Sequence, residues 1–334
     1  MESVRMAEPT PLLEVTNLSK SFALRGGFLD TPKGVVQAVD RLTLSIARGQ
    51  TFGLVGESGC GKTTTARMIV RVVEPDGGGI AFWDDELGRL DLCMLSGRQM
   101  RPLRRKIQMI FQDPYASLDP RMTVLRIVGE PLRATGCTDQ RATRERVAEV
   151  LEMVGLRHEY MSRYPHAFSG GQRQRIGVAR ALATEPRLVV ADEAVSALDV
   201  SVQAQILNLL RELQGRLDLT YLFIAHDLGV VRYICDVVGV MYLGRLVEVA
   251  DKASLFRSPR HPYTEALLAA APRPEPGQPI VHLSAPGTVP ASGCPFLPRC
   301  RYQKDTCTRE APELRQVAPG HTVSCHFDLR LTGV

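Results

Sequence analysis

"GESGCGKTTT", residues 56–65, follows the apolar run "TFGLVG" at 51–56 and fills the pattern G-x-x-x-x-G-K-[ST] with Gly56, Gly59, Gly61, Lys62 and Thr63. Strand, loop and helix are implied in that order. The glycines let successive backbone N–H groups point into one concavity, Lys62 reaches the β- and γ-phosphates of a nucleotide, and the Thr63 hydroxyl is placed to ligate Mg²⁺. A helix opening near Gly61 adds the positive end of its dipole. The ligand expected here is a nucleoside triphosphate; the use made of it is left open.

At 334 residues and 44% hydrophobic content the chain suits one large domain or two ordinary ones, with a proper core. No apolar run approaches the roughly 20 residues that cross a bilayer, and "MESVRMAEPT" lacks the apolar stretch of a signal peptide, so a cytosolic chain is expected. The net charge of +5 is mild. "RPLRRK" (101–106) and "RATRER" (141–146) are locally basic but not interleaved with aromatics, which argues against a nucleic-acid platform. They read as solvated helix faces, with attraction to an anionic membrane surface as the alternative.

"LLEVTNL" (12–18), "RLTLSIA" (41–47) and "TFGLVG" read as strands of a mixed sheet, with "RGGFLDTPKG" between the first two as a loop. A helix is expected at about 61–73, then strands at "GGGIAFW" and "KIQMIFQ". Residues 122–185 show helical spacing almost throughout, marking a helical insertion, taken as about 114–186, between two strands of an α/β nucleotide core. The core resumes with "RLVVADE", a helix near 200–215, the strand "TYLFIAH" and the pair "VVGVMYLG" and "RLVEVA". With no internal repeat, one nucleotide-binding unit is expected.

"RLVVADE" is an apolar strand ending in two carboxylates. Asp192 is placed to hold Mg²⁺ and Glu193 to act as general base on the attacking water. In "FSGGQRQRIGVARAL" (168–182), Ser169, Gly170 and Gly171 form a donor-rich turn, and an amphipathic helix runs from Gln172 onward. Its N-terminus is a second anion site. One triphosphate does not need two such sites in one chain, so two nucleotide domains facing head to tail are expected, each offering "SGGQ" to the other's γ-phosphate.

Over residues 12 to about 255 the sequence resembles the ATP-binding subunits of ATP-binding cassette (ABC) transporters. Gly56, Glu57, Ser58, Gly59, Cys60, Gly61, Lys62, Thr63 and Thr64 match the phosphate loop, Gln112 in "FQDP" the glutamine loop, and Ser169 to Gln172 the signature. Asp192 and Glu193 match the carboxylate pair, "SALD" (196–199) the loop crossing the dimer interface, and His226 in "IAHD" the switch histidine. The resemblance implies that Gln112 senses Mg²⁺ and the γ-phosphate, that His226 orients Glu193, and that Asp199 couples the two sites. It also implies an aromatic stacked on adenine; Phe22 is the choice and Phe28 its competitor. Ala194 stands where the family commonly has proline, which affects a turn and no functional side chain.

"VGESGCGK", "FQDPYASLDPRMTV", "DEAVSALDVSVQAQILNLL" and the ending "GCPFLPRCRYQKDTC…VSC" look more narrowly like the ATPases of oligopeptide/dipeptide importers, of the second of two nonidentical types. That resemblance implies a second ATPase subunit, two membrane permease subunits engaged by the region around 112–135, a solute-binding protein, and a peripheral place on the cytoplasmic face of the membrane. Relatives import nickel or other small solutes. The rival functions are a soluble ABC ATPase acting on nucleic acid or ribosomes, which usually has two cassettes or a coiled-coil insertion, and a metal-responsive regulatory module.

From about residue 256 the composition turns Pro-rich, giving a small extension (256–334) after the 1–255 ATPase unit. Cys294, Cys300, Cys307 and Cys325 crowd into the last 41 residues, separated by five, six and 17 residues. In a cytosolic chain such a cluster reads as metal-binding before it reads as disulfides. Four thiolates suit a [4Fe–4S] cluster; Zn²⁺, plain reduced cysteines, or a ligand set including His321 or His326 are the alternatives. Residues 256–285 are expected to be the only tether, so damage to the extension should stay local unless it also packs on the partner ATPase or permease, where assembly would fail without loss of nucleotide affinity.

Overall fold

The computed structural model describes residues 11–25, 32–113, 115–270 and 292–327. The chain opens with the hairpin β1 (Pro11–Arg25) and β2 (Pro32–Ala47), followed by β3 (Thr51–Val55), α1 (Lys62–Ile69), β4 (Gly77–Asp84), β5 (Gly88–Asp91), α2 (Gly97–Leu103) and β6 (Ile107–Ile110). Four helices come next: α3 (Val124–Val128), α4 (Glu130–Ala134), α5 (Gln140–Met153) and α6 (Gly170–Leu182). Then follow β7 (Leu188–Asp192), α7 (Val200–Leu217), β8 (Thr220–Ile224), α8 (Leu228–Ile234), β9 (Val237–Tyr242), β10 (Arg245–Asp251), α9 (Lys252–Arg257) and α10 (Pro262–Ala270). The extension adds α11 (Asp305–Arg309), β11 (Arg315–Ala318) and β12 (His321–Val323).

Two sheets result. The smaller is antiparallel in the order β2-β1-β4-β5, and the larger runs β11-β12-β10-β9-β3-β8-β7-β6 with β9, β3, β8, β7 and β6 parallel. A parallel sheet needs cover on both faces, and the central strands β3, β7 and β8 are buried along their whole length. Alternate residues feed two cores: Tyr221 and Phe223 of β8 pack with the helical layer, Leu222 and Ile224 with α1 and the small sheet. Each such large side chain contributes about 1.5–3 kcal/mol when fully buried.

The helical insertion folds for local reasons. Asp139 caps α5 by accepting from Arg141 N and Ala142 N, and Thr143, Val147, Val150 and Leu151 form its buried stripe at helical spacing. The two basic runs divide: Arg141 is on the solvent face, whereas Arg146 reaches the carbonyls of Leu182 and Ala183, and Lys106 pairs with the buried Asp84 at 2.6 Å.

Three expectations need correction. The first hairpin's strands run well past "LLEVTNL" and "RLTLSIA"; Asn17 and Arg41 take positive φ at bulges that break the alternation, and of the expected loop only 26–31 lies outside the described residues. The helix after the phosphate loop ends at Ile69 rather than about 73, because Arg71 adopts φ 54° and Val72 N turns back to Arg67 O at 2.9 Å. The extension, finally, is not held by one tether: β12 pairs with β10, Glu248 opposite Val323, so it lengthens the larger sheet.

A buried carboxylate latches that junction. Glu248 on β10 is fully buried and accepts from Arg260 N at 2.7 Å, His261 N at 2.9 Å and His321 Nε2 at 2.7 Å. Three donors offset its desolvation. Burial pushes the His261 imidazole down to about 4, which keeps it neutral, and its Nδ1 accepts from Tyr263 N at 3.0 Å. His321 is therefore occupied by the latch, and His326 Nε2 meets Glu310 O at 2.9 Å.

Candidate active site

The phosphate loop leaves β3 at Val55 and enters α1 at Lys62. Gly61 sits at φ 108°, and a Cβ there would stand 2.2 Å from Ala38 O, so only glycine allows the loop to lie this close to β2. Lys62 Nζ donates to the carbonyls of Gly56 and Glu57, at 2.7 and 2.9 Å, drawing the loop around its ammonium. A cleft of about 820 Å³ opens beside it. Ser58, Gly59, Gly61, Lys62, Thr63 and Thr64 line it, with Gln112 and Glu193 on one side and Val35 to Ala38 of β2 on another. Glu57 and Cys60 are not among the lining residues; Cys60 is buried, which raises its thiol pKa.

Thr63, Asp192, Gln112, Glu193 and His226 converge from separate elements. Thr63 Oγ1 donates to Asp192 Oδ1 at 3.1 Å. Asp192 closes β7 with its carboxyl nearly buried, and desolvation raises its pKa. A divalent cation would favour the ionised form again, and these two oxygens with the side-chain carbonyl of Gln112 are a donor set suited to Mg²⁺. Glu193 Oε2 accepts from Gln112 Nε2 at 2.8 Å and stands 3.4 Å from His226 Nδ1. Thus Gln112, Glu193 and His226, 81 and 33 residues apart in turn, share one carboxylate oxygen. Glu193 itself has φ 47°, an uncommon conformation for a side chain of its size, held by Glu193 N donating to Ile224 O at 3.0 Å.

Ser169, Gly170, Gly171, Gln172 and Asp199 lie elsewhere, outside the lining of that cleft. Ser169 caps α6 in a capping box: Gln172 N donates to Ser169 Oγ at 3.4 Å and Ser169 N to Gln172 Oε1 at 3.1 Å. Asp199 caps α7, accepting from Val202 N at 3.0 Å and Ser201 Oγ at 2.6 Å, and these bonds lower its pKa. The two caps are neighbours, since a Cβ on Gly171 would come within 2.5 Å of Val202 Cγ1. Phe22 is exposed on β1, opposite Val36 of the cleft, with Lys20 Nζ 5.6 Å from its ring. Phe28 lies outside the described residues.

Part of the cleft wall was not anticipated. Ser292, Gly293, Pro295 and Ala311 of the extension line it, and Arg299 binds Glu57 of the phosphate loop. The four extension cysteines surround one cavity of about 300 Å³ together with Leu297, Tyr302 and Phe327. Burial raises the pKa of Cys294 and Cys300 and takes Cys325 up to about 11, with the neighbouring thiols adding a smaller upward push on these three. Among the described residues no group of three or more His, Cys, Asp or Glu is arranged to hold a single metal ion.

Comparison with known proteins agrees with this geometry. Residues 39–196 match the ABC transporter family, and residues 247–307 match the oligopeptide/dipeptide transporter C-terminal region. A putative peptide import ATP-binding protein of Brucella ovis is 49% identical over 96% of this chain and 98% of its own. The oligopeptide transport ATP-binding protein AppF of Bacillus subtilis is 45% identical, again over 96% and 98%. Among solved structures, the dimeric ATP-binding cassette MJ0796 in a post-hydrolysis state with ADP and Pi superposes with TM-score 0.61 at 27% identity, covering 72% of this chain and 98% of that one. CbiO1 of Clostridium perfringens, part of the transporter complex cbiONQ, gives TM-score 0.61 at 27% identity over 74% and 91%.

Proposed function

Because the chain belongs to the ABC transporter family of ATP-binding proteins, we propose that it is the ATP-hydrolysing subunit of a peptide importer, and that the residues converging on Glu193 carry the reaction. ATP is the substrate. Lys62 and the loop N–H groups bind and orient the phosphates, Thr63, Asp192 and Gln112 hold Mg²⁺, and Glu193 takes the proton of the attacking water while His226 and Gln112 fix its carboxylate. Mg²⁺ supplies charge neutralisation on the phosphate oxygens. The single observation that carries this assignment is the shared oxygen of Glu193, 2.8 Å from Gln112 and 3.4 Å from His226.

A second copy or a related ATPase completes the site. Ser169 to Gln172 and Asp199 lie side by side on a surface away from the chain's own cleft, as residues serving a partner's nucleotide would. A groove of about 1040 Å³ lined by Gln108, Phe111, Gln112, Ala116, Glu130 and Pro131 suits a short helix of a permease subunit and touches the γ-phosphate sensor directly. Among the described residues no helix is long and apolar enough to cross a membrane, so attachment to the cytoplasmic face runs through such subunits, a solute-binding protein presenting the peptide. The functional division falls near residue 256, with nucleotide groups before it and the cysteines after. Affinity-purified chain from gently solubilised membranes should bring down integral membrane subunits; ribosomal RNA in their place would favour the nucleic-acid rival.

For the four cysteines the donor chemistry fits a [4Fe–4S] cluster, held by Cys294, Cys300, Cys307 and Cys325. Its contribution would be structural, offsetting the raised cost of ionising Cys294, Cys300 and Cys325 and ordering a segment with little core of its own. Anaerobically purified protein should be brown and contain about four irons per chain, as a Cys₄-ligated cluster requires. Zinc with no colour would reassign the metal, and neither metal in chelator-free preparations would leave four reduced thiols.

A further inference from the structure

Arg299 stands immediately before Cys300, yet its side chain turns to the phosphate loop. The side chain is 5% exposed, and its guanidinium grips both carboxylate oxygens of Glu57, Nη1 to Oε2 at 3.1 Å and Nη2 to Oε1 at 2.7 Å. Tyr242, Tyr263 and Phe296 surround it with ring centroids 5.7, 6.0 and 5.7 Å away. A bidentate pair inside an aromatic cage is both directional and poorly replaced by water. Glu57 is held a second time through its backbone, since its N–H donates to the Tyr263 hydroxyl at 2.9 Å. Its carbonyl accepts from Lys62 Nζ at 2.9 Å. The residue gripped from outside is thus the one on which the phosphate-binding lysine leans, just after Gly56, where a Cβ would strike Met241 O at 2.2 Å.

We propose that Arg299 is a positioning residue for the nucleotide: it transmits the folded state of the four-cysteine extension to the phosphate loop, so that loosening the extension weakens nucleotide binding. This rests on the loop being the ATP site. Arg299 touches no reacting atom; it acts by holding Glu57, so that the loop meets the phosphates already ordered. Freeing one to two loop residues costs roughly tenfold in affinity at the usual scale of backbone ordering. Lysine at this position keeps the charge but cannot bond both oxygens in one plane, so its rescue is partial.

Titration calorimetry of the full chain with MgADP tests it. Arg299→Met should bind about tenfold more weakly, Arg299→Lys should fall between, and Glu57→Gln with Arg299→Met should be no weaker than the weaker single variant, because both remove one contact. Cys300→Ser should weaken binding in the parent chain and add nothing in the Arg299→Met background. In the assembled transporter, Arg299→Met should raise KM for ATP and spare kcat. Arg299→Met affinity within twofold of the parent overturns the proposal, as does an additive double variant. Should Arg299→Met fail to fold, Glu57→Gln decides alone, since it keeps the loop's volume and Arg299 itself; unchanged affinity there is equally fatal. Lys62→Ala is the separate control: MgADP binding unaffected by that change means that the assignment of the loop, and not the clamp, has failed.

Discussion

Glu193→Gln should bind MgATP with near-parental affinity and hydrolyse it at least ~10²-fold more slowly in the assembled complex, the usual size of a general-base contribution. The structure explains why binding survives. Glu193 lines the cleft with Gln112, and the groups proposed to hold the phosphates come instead from the loop and α1. A glutamine with its carbonyl oxygen at the place of Oε2 still accepts from Gln112 Nε2 and still lies beside His226 Nδ1, so the cluster's shape is preserved while the carboxylate that takes a proton is lost. Its backbone at φ 47° is no more strained by glutamine than by glutamate. Single-turnover measurements alongside equilibrium binding separate the two effects. Turnover near the parental rate would remove Glu193 from the role of base and shift attention to His226.

What could be read from the chain divides along sequence distance. The local structure of the phosphate loop, "RLVVADE" and "SGGQ" is legible because each is built from contiguous residues: a glycine turn, a strand end, a helix cap. The capping box of Ser169 and Gln172 follows from that same four-residue spacing. Gln112 and His226 are different. Each is one polar residue at a strand end, and only a resemblance in motif order assigned them; their meeting on Glu193 is a product of the parallel order of β6, β7 and β8.

The extension was the least legible part, and for a physical reason. Its attachment is made by contacts 242 residues apart in the case of Arg299 with Glu57 and 73 apart for His321 with Glu248. Strand β12 has only three residues, too few for alternation to announce itself. A Pro-rich, cysteine-bearing segment with little apolar content reads as a satellite, but Phe296 and Val323 are buried in the cassette and four of its residues wall the nucleotide cleft. Damage to the cysteines is thereby expected to reach the nucleotide, contrary to a tethered extension that fails alone.

Ser169→Arg should leave nucleotide binding by the chain's own loop nearly intact and lower ATP hydrolysis at least ~10²-fold, comparable to loss of a transition-state electrostatic contact. The substitution has two consequences, and their sizes decide the outcome. Losing the cap on α6 costs about 1 kcal/mol, small against the 5–15 kcal/mol that holds a domain together, and the helix remains fixed by buried Ile176, Val178, Ala179 and Leu182. The fold therefore stands, and Ser169 is outside the cleft lining, so its own nucleotide is undisturbed. The second consequence falls on the partner. Gly171 is wedged against Val202 and Gly170 lies against Leu198, so the turn has no room to swing a long side chain inward. The guanidinium must project from the surface that carries Asp199 as well, the surface proposed above to meet the nucleotide of a closing partner ATPase. Sedimentation of the ATP-bound, hydrolysis-deficient protein measures the closed dimer directly and should show it lost in Ser169→Arg. If the isolated variant instead stops binding nucleotide while still folded, Ser169 serves its own chain, and the head-to-tail pairing has to be given up.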